Sequence, residues 1–227
     1  NGGMEHTTLH LLYSRFWNKF LYDIKVVPFS EPYKKRTSHG LILAKGGEKM
    51  SKSKGNVVNP DQVVANYGAD TLRMYEMFTG PFAEPIAWGE ENIMGVRRFL
   101  DRVWRLSAKV SKATISNKNF EILLHKTIKK VSDDIESMSF NTAVSSMMIL
   151  LNEMEKMESV NKGDFETFLK ILNPFAPHIT EEIWHNLGNK KLIVLESWPK
   201  ADMKKMVEEE VKIIVQIDSK VRAECMV

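Results

Sequence analysis

The 227 residues are 43% hydrophobic and carry a formal charge of +3. That balance excludes a disordered chain and permits a nucleic-acid partner without demanding one, so the placement of charge matters more than its total. The single cysteine, Cys225, excludes an internal disulfide and fits a reducing, cytoplasmic compartment. No apolar run approaches the roughly 20 residues that span a bilayer, so no membrane partner is expected. The first residues, Asn1-Gly2-Gly3-Met4-Glu5, lack the charged and apolar regions of a signal peptide. They do not resemble a natural start either, and the chain is expected to begin within a domain.

Taken in order, Gly2-Gly3 opens onto a helix whose apolar residues Leu9, Leu12, Tyr13, Phe16 and Phe20 recur at three and four. Residues 23–27 read as a short strand. Pro28 and Pro32 break the chain, and residues 31–36 allow one helical turn or two. Gly40-Leu41-Ile42-Leu43-Ala44 is an apolar run of strand length that leads into residues 48–57, where Lys49, Lys52 and Lys54 alternate with Ser51 and Ser53. Gly46, Gly47 and Gly55 flank these lysines and let the backbone turn tightly. Small residues leave backbone N–H groups uncovered, and lysine adds a mobile point charge. The product is a donor-rich cationic loop suited to a polyphosphate leaving group. A solvated basic turn is the alternative on composition alone. His6 and His10 stand i, i+4 apart, but no third ligand accompanies them, so no metal is assigned.

Asn59-Pro60-Asp61 is a helix start, with an Asn cap, Pro at the first position and an acid in the first turn; Gly68 ends that helix. Asp70 caps a second helix, which Thr79-Gly80-Pro81 terminates. Arg73, on the second helix, suits either a phosphate or a carboxylate bridge between the two helices. Residues 82–88 read as a loop and a domain boundary. A long helix then runs from Gly89 to about Val110, with Arg98, Arg102, Arg105 and Lys109 at steps of four, three and four. These form one basic stripe, able to follow a phosphate backbone over roughly 16 Å. Further helical faces cover residues 120–138, then 140–154 with its methionines read as adaptable core, then 163–172, which Pro174 and Pro177 end. A short helix opened by Thr180-Glu181-Glu182 closes at Gly188. Together they predict a five-helix bundle. His178 is read as a structural hydrogen-bonding group. Residues 211–217 and 220 onward read as strands around an Asp218-Ser219 turn, which lacks the glycine of a favoured pair.

Lys49-Met50-Ser51-Lys52-Ser53 resembles the second signature of the class I aminoacyl-tRNA synthetases, and the match continues through Lys54-Gly55-Asn56-Val57 and residues 67–73. Gly2-Gly3-Met4-Glu5-His6 with Leu9-His10-Leu11-Leu12-Tyr13 resembles the leucyl-tRNA synthetases of the bacterial type. Residues 174–184 resemble a signature of their anticodon-binding domain, and the last strands resemble the opening of their small C-terminal domain. The resemblance implies a mainly α chain with an α/β piece: residues 1–58 as the C-terminal part of a Rossmann-like catalytic fold, 59–84 as a connecting module, 85–200 as an all-α anticodon-binding helical bundle, and 201–227 as the start of a C-terminal domain with a terminal β-hairpin.

It further implies ATP, with Mg2+, as a substrate and no protein-bound metal. Lys49 and Lys52 would neutralise the departing pyrophosphate. Gly2, Gly3, Glu5 and His6 would meet the adenylate ribose, His39, Gly40, Leu41 and Ile42 the adenine, and Met50, Ser51 and Ser53 the phosphates. Arg73, Arg98, Arg102, Arg105 and Lys109 would contact tRNA(Leu). The implied partners are leucine, tRNA(Leu) and the remainder of a monomeric synthetase. The family's His-x-Gly-His signature is not here, since none of the histidines 6, 10, 39, 125, 178 and 185 has that spacing; the leucine pocket and editing insertion are not here either. A non-catalytic tRNA-binding module and the β-half of a split synthetase stay open as alternatives.

Overall fold

The computed structural model describes residues 2–112, 117–207, 212–217 and 220–226. The chain is mainly helical. It divides into two compact units, one of residues 1–97 with Met138–Asn141, the other of Arg98–Ser137 with residues 142–227. Among the described residues, no helix is long and apolar enough to cross a membrane.

In the first unit, a 3-10 turn at Met4–Thr7 precedes α1, His10–Asp23. The strand expected at residues 23–27 is replaced by a helix stop. Lys25 turns left-handed at φ 62°. Its N–H donates to the Tyr22 carbonyl at 2.9 Å, and the Val26 N–H reaches back to the Leu21 carbonyl at 2.8 Å. This paired bonding satisfies carbonyls that a helix end leaves open, with lysine where glycine is usual. The helical turn allowed at residues 31–36 is irregular chain instead. Glu31 explains its course, because its carboxylate takes Arg15 at 2.7 Å and Lys19 at 2.8 Å. Asn18 adds a bond to the Phe29 carbonyl at 3.0 Å.

The apolar run before the lysine loop is a two-residue strand, β1 (Ile42–Leu43). It pairs in parallel with β2 (Ile86–Ala87), with Ile42 opposite Ile86. Residues 82–88, read as a loop from sequence, thus supply the strand partner of the segment that launches the lysine loop. A two-residue strand is too short for alternation to show. Helices α2 (Pro60–Tyr67) and α3 (Ala69–Phe78) follow the loop. The Asn59 side chain accepts from the Asp61 N–H, and Gly68, at φ 90°, makes the break between the helices. Helix α3 therefore begins at Ala69, with Asp70 buried in its first turn rather than capping it. Tyr75 is buried, and its hydroxyl both donates to the Gly89 carbonyl at 3.1 Å and accepts from the Gly89 N–H at 3.0 Å. Burial pushes the Tyr75 phenol up, and the Gly89 backbone partly offsets this.

Helix α4 (Glu90–Leu106) carries the boundary between the units. Its α-helical part stops at Leu106. A 3-10 turn follows, then β3 (Val110–Ser111), which pairs in parallel with β4 (Val160–Asn161). The second unit is built from the end of α4 with α5 (Lys118–Ser137), α6 (Phe140–Glu155, from residue 142), α7 (Lys162–Leu172) and α8 (Pro177–Asn186). Helix α8 starts three residues before Thr180. Pro177 takes the first helical position, where its missing N–H costs nothing. The core holds Phe99, Met147, Leu151, Phe165, Phe168 and Phe175, each nearly without solvent contact. Met147 and Met154 are wholly buried, so those methionines are core.

Residues 189–206 strap the bundle. Glu181 accepts from the Ile193 N–H at 3.1 Å, Trp184 Nε1 donates to the Lys191 carbonyl at 2.9 Å, and Trp198 Nε1 donates to Ser132 Oγ at 2.8 Å. The Asp202 N–H then meets His125 Nδ1 at 3.1 Å, and Lys205 pairs with Glu121 at 2.6 Å. Strands β5 (Lys212–Ile217) and β6 (Lys220–Met226) pair antiparallel. The Asp218-Ser219 turn lies outside the described residues.

Candidate phosphate-loop site

The loop begins where β1 ends. The Gly47 N–H donates to the Ala44 carbonyl at 2.9 Å, and the Ala44 N–H donates to the Glu48 carbonyl at 2.7 Å. Gly46, Gly47 and Gly55 all have left-handed φ, at 98°, 83° and 64°, so the turns the glycines implied are made there. Lys52–Lys54 forms one 3-10 turn, closed by the Lys54 N–H on the Ser51 carbonyl at 3.1 Å and the Gly55 N–H on the Lys52 carbonyl at 3.2 Å.

The three lysines are not equivalent. Lys54 turns back onto Glu48 at 2.9 Å. Lys49 and Lys52 are exposed and make no direct ion pair among the described residues. Their charges stay available to an anionic ligand. Ser51 and Ser53 share a hydroxyl–hydroxyl hydrogen bond of 2.8 Å. Asn56 braces the base of the loop through both ends of its amide. This residue carried no role in the sequence reading. The available signal was its type: asparagine habitually bonds nearby backbone in turns.

The other expected nucleotide-binding segments come together beside the loop. Gly2 bridges Ser38 in parallel, and the His39 N–H donates to the Gly2 carbonyl at 3.4 Å. Glu5 is exposed and held below the ordinary carboxylate range. Its own backbone N–H contributes most, desolvation opposes, and the positive fields of His6, Lys49 and His39 add to the lowering. Glu5, His39 and Lys49 therefore share one electrostatic neighbourhood. Gly40 is dictated by close approach, since a Cβ there would stand 1.9 Å from the Glu84 carbonyl oxygen. Its N–H donates to the Phe82 carbonyl at 2.8 Å, and His39 packs edge-on against Phe82. Leu41 and Ile42 are more than a third exposed. His6 and His10 line a cavity of about 60 Å³ with Gly3, Tyr33, Lys35 and Arg36. His10 Nε2 meets the Tyr33 hydroxyl at 3.2 Å. Among the described residues, no group of three or more His, Cys, Asp or Glu side chains is placed to hold a metal ion.

The basic stripe resolves into parts with different partners. Arg102 forks onto Glu155, with Nε at 3.0 Å from one carboxylate oxygen, and also reaches Asn152 Oδ1. Lys109 Nζ donates to the Glu155 carbonyl at 3.3 Å, and Arg105 Nε donates to the Asp101 carbonyl at 3.3 Å. Hydrogen bonding from Arg102 holds the Glu155 carboxylate below its usual range, and the charges of Arg102, Arg105 and Lys109 add to this. Arg98 lies exposed on the same face, and Arg73 is exposed on α3; burial raises the pKa of Glu76, and the charge of Arg73 partly offsets this.

Two sequence families match this chain in order. The family described as tRNA synthetases class I (I, L, M and V) matches residues 13–88, and the anticodon-binding domain of tRNA ligase matches residues 117–227. The lysine loop lies in the first matched region and the bundle in the second. It is 54% identical over all 227 residues to a leucine–tRNA ligase of Alkaliphilus oremlandii, and spans 28% of that relative's length. The fold matches the LeuRS of Agrobacterium radiobacter K84, solved as a ternary complex with tRNA and LeuAMS. That match has a TM-score of 0.83 and 33% identity, covering 100% of this chain and 32% of the other. Methionyl-tRNA synthetase of Mycobacterium tuberculosis, bound to methionyl-adenylate, shares the fold at a TM-score of 0.58 and 16% identity, over 77% of this chain and 42% of its own.

Proposed function

We propose that the chain is a segment of a leucine–tRNA ligase, which joins leucine to tRNA(Leu) through leucyl adenylate at the expense of ATP. The observation that carries this reading is the convergence of Glu5, His39 and Lys49 beside an exposed lysine loop, in a chain that matches a leucine–tRNA ligase from end to end. Within the reading, Lys49 and Lys52 neutralise pyrophosphate as it departs with Mg2+. Glu5 accepts from the ribose hydroxyls while Gly2, Gly3 and His6 line the sugar. Residues 39–42 meet the adenine edge, and Met50, Ser51 and Ser53 line the phosphates. Arg73, Arg98, Arg105 and Lys109 meet tRNA phosphates, each contact steepening the salt dependence of binding by about one unit. Arg102, engaged by Glu155, acts on RNA only by exchanging that partner.

The same reading places residues 1–58 at the end of a Rossmann-like catalytic fold, 59–84 in a connecting module, 85–200 in the anticodon-type bundle and 201–227 at the start of a further domain with a terminal hairpin. It makes the whole a monomeric, cytoplasmic enzyme. The apolar face of α1 supports an incomplete catalytic fold, because Leu12, Tyr13, Phe16 and Trp17 are each about three-fifths exposed and a patch of this kind marks a surface that another segment covers. Whether that segment belongs to the same polypeptide or to a second one is the alternative this observation keeps.

Leucine-dependent ATP–pyrophosphate exchange tests the proposal. The 227-residue chain alone is expected to be inactive. The complete ligase polypeptide carrying it is expected to be active, and to lose about 10²–10³-fold on Lys52→Ala, by analogy with removal of one preorganised charge-stabilising donor. Exchange by the complete polypeptide that is indifferent to Lys52→Ala would refute the role of the loop.

A further inference from the structure

Four residues lie between Ser51 and Asn56, and the structure closes that gap with one side chain. Asn56 Oδ1 accepts from the Ser51 N–H at 2.8 Å, and its Nδ2 donates to the Lys49 carbonyl at 3.4 Å. The two backbone groups flank Met50, so the amide brackets the chain between the two exposed lysines. Both ends of the amide are used, and the donor–acceptor order fixes its orientation. Asn56 is itself half-buried, while Lys49, Lys52, Ser53 and Lys54 are exposed. The bracket is therefore the anchored part of a loop whose ligand-facing residues stand in solvent. Gly55, left-handed at φ 64°, carries the chain back so that Asn56 can reach Ser51. The 2.9 Å bridge between Glu48 and Lys54 spans the same base from the other side. Without these two ties, residues 49–54 would keep the short bridge of Lys49 to Leu43, the Ser51–Ser53 hydroxyl bond and their own 3-10 turn. A lysine on such a segment would spread its charge over many positions. Electrostatic stabilisation of a leaving group depends on charge that is already in place when the bond breaks.

We propose that Asn56 is a positioning residue of the phosphate loop. By bracketing Met50 it fixes the backbone from which Lys49 and Lys52 reach a nucleoside triphosphate, and so sets the rate of the step that expels pyrophosphate rather than the affinity for substrates. The inference rests on the ligase reading above. It assigns Asn56 no contact with substrate. Its effect runs through the Ser51 N–H and the Lys49 carbonyl.

The test is steady-state ATP–pyrophosphate exchange by the complete ligase polypeptide, with thermal melting of each variant alongside. Asn56→Ala is expected to lower kcat about tenfold, as losing two hydrogen bonds of ordinary strength would. The KM values for ATP and leucine should stay within about twofold, and the melting temperature should not change, because the loop is at the surface. Asn56→Asp keeps the acceptor for the Ser51 N–H and is expected to lose less than alanine; it takes alanine's place in the comparison if the alanine variant melts early. An unchanged kcat for Asn56→Ala, in an enzyme that Lys52→Ala does cripple, overturns the inference and leaves the ligase reading standing. So does a raised KM for ATP with kcat intact, or an aspartate variant as slow as alanine. If neither Lys52→Ala nor Asn56→Ala slows exchange, the loop reading falls and this inference falls with it.

Discussion

Helices α1 and α7 carry the same kind of sequence signal and end in opposite environments. Along α1, Leu12, Tyr13, Phe16 and Phe20 recur at helical spacing, and all stay exposed, Phe16 at 66%. Along α7, Phe165, Phe168, Leu169 and Leu172 recur in the same way, and every one is at 0% exposure. Periodicity states that a helix has an apolar face. It does not state which part of a protein covers that face. The bundle carries its own cover, supplied by α5, α6 and α8, whereas the cover of α1 is not among the described residues. A unit that completes its core within one segment folds on local information; a unit assembled from distant segments shows an open face in any one of them.

Several substitutions sharpen that contrast. Phe168→Ala should show the largest effect on the second unit, about 3–5 kcal/mol of lost stability in chemical denaturation, because the phenyl ring is fully enclosed and leaves a cavity. The paired substitution Phe16→Ala on α1 should change the stability of this chain by less than about 0.5 kcal/mol, while visibly reducing its binding of a hydrophobic dye. A loss at Phe16 comparable to that at Phe168 would mean that α1 is covered after all, by self-association for example.

A smaller effect is expected at Asn161. Its side chain accepts from the Gly163 and Asp164 N–H groups at the start of α7, at 2.8 and 3.3 Å. Asn161→Ala should cost about 1 kcal/mol, read as an earlier melt of the bundle. The smallest effect is a pH dependence confined to the first unit. Glu31 is held at about 2 by hydrogen bonds from Arg15 and Lys19. A depressed carboxylate adds stability that is complete above the ordinary carboxylate pKa and is lost as pH falls toward 2. Acid between about 4.5 and 2 should therefore loosen the segment around Glu31 from α1, and Glu31→Gln should abolish that part of the titration. Solvent exposure of the cluster keeps the effect modest.

Much of the fold was legible because it is local. The cap at Asn59, the break at Gly68 and the helical runs of the bundle all follow from bonds within a few residues of each other. The errors have different causes. Residues 23–27 have strand-forming composition, but Lys25 adopts the left-handed turn that ends α1, a local closure by the Tyr22 and Leu21 carbonyls that lysine's propensity does not express. Residues 82–88 look like a linker until they pair with β1 across more than forty residues of chain. For the candidate site, the lysine loop was plain from its residue types, and the roles expected of Glu5 and His39 came through the family resemblance. Their meeting with Lys49, the Glu48–Lys54 bridge and the Asn56 bracket were not visible.

The sequence by itself determined most of the helical runs, which segments are rich in lysine and arginine, and the family signatures the chain carries. These rest on near-neighbour chemistry and on motif identity. Only the tertiary structure decided which of the charges are engaged. Arg102 sits in a stripe that reads as one phosphate-tracking surface, yet its guanidinium is held by Glu155, fifty-three residues away. Of three lysines alike in sequence, Lys54 alone is tied to a carboxylate in its own loop. A side chain's type fixes what it can bind, but distance and direction fix what it does bind, and for residues far apart in the chain those are set only when the chain is packed.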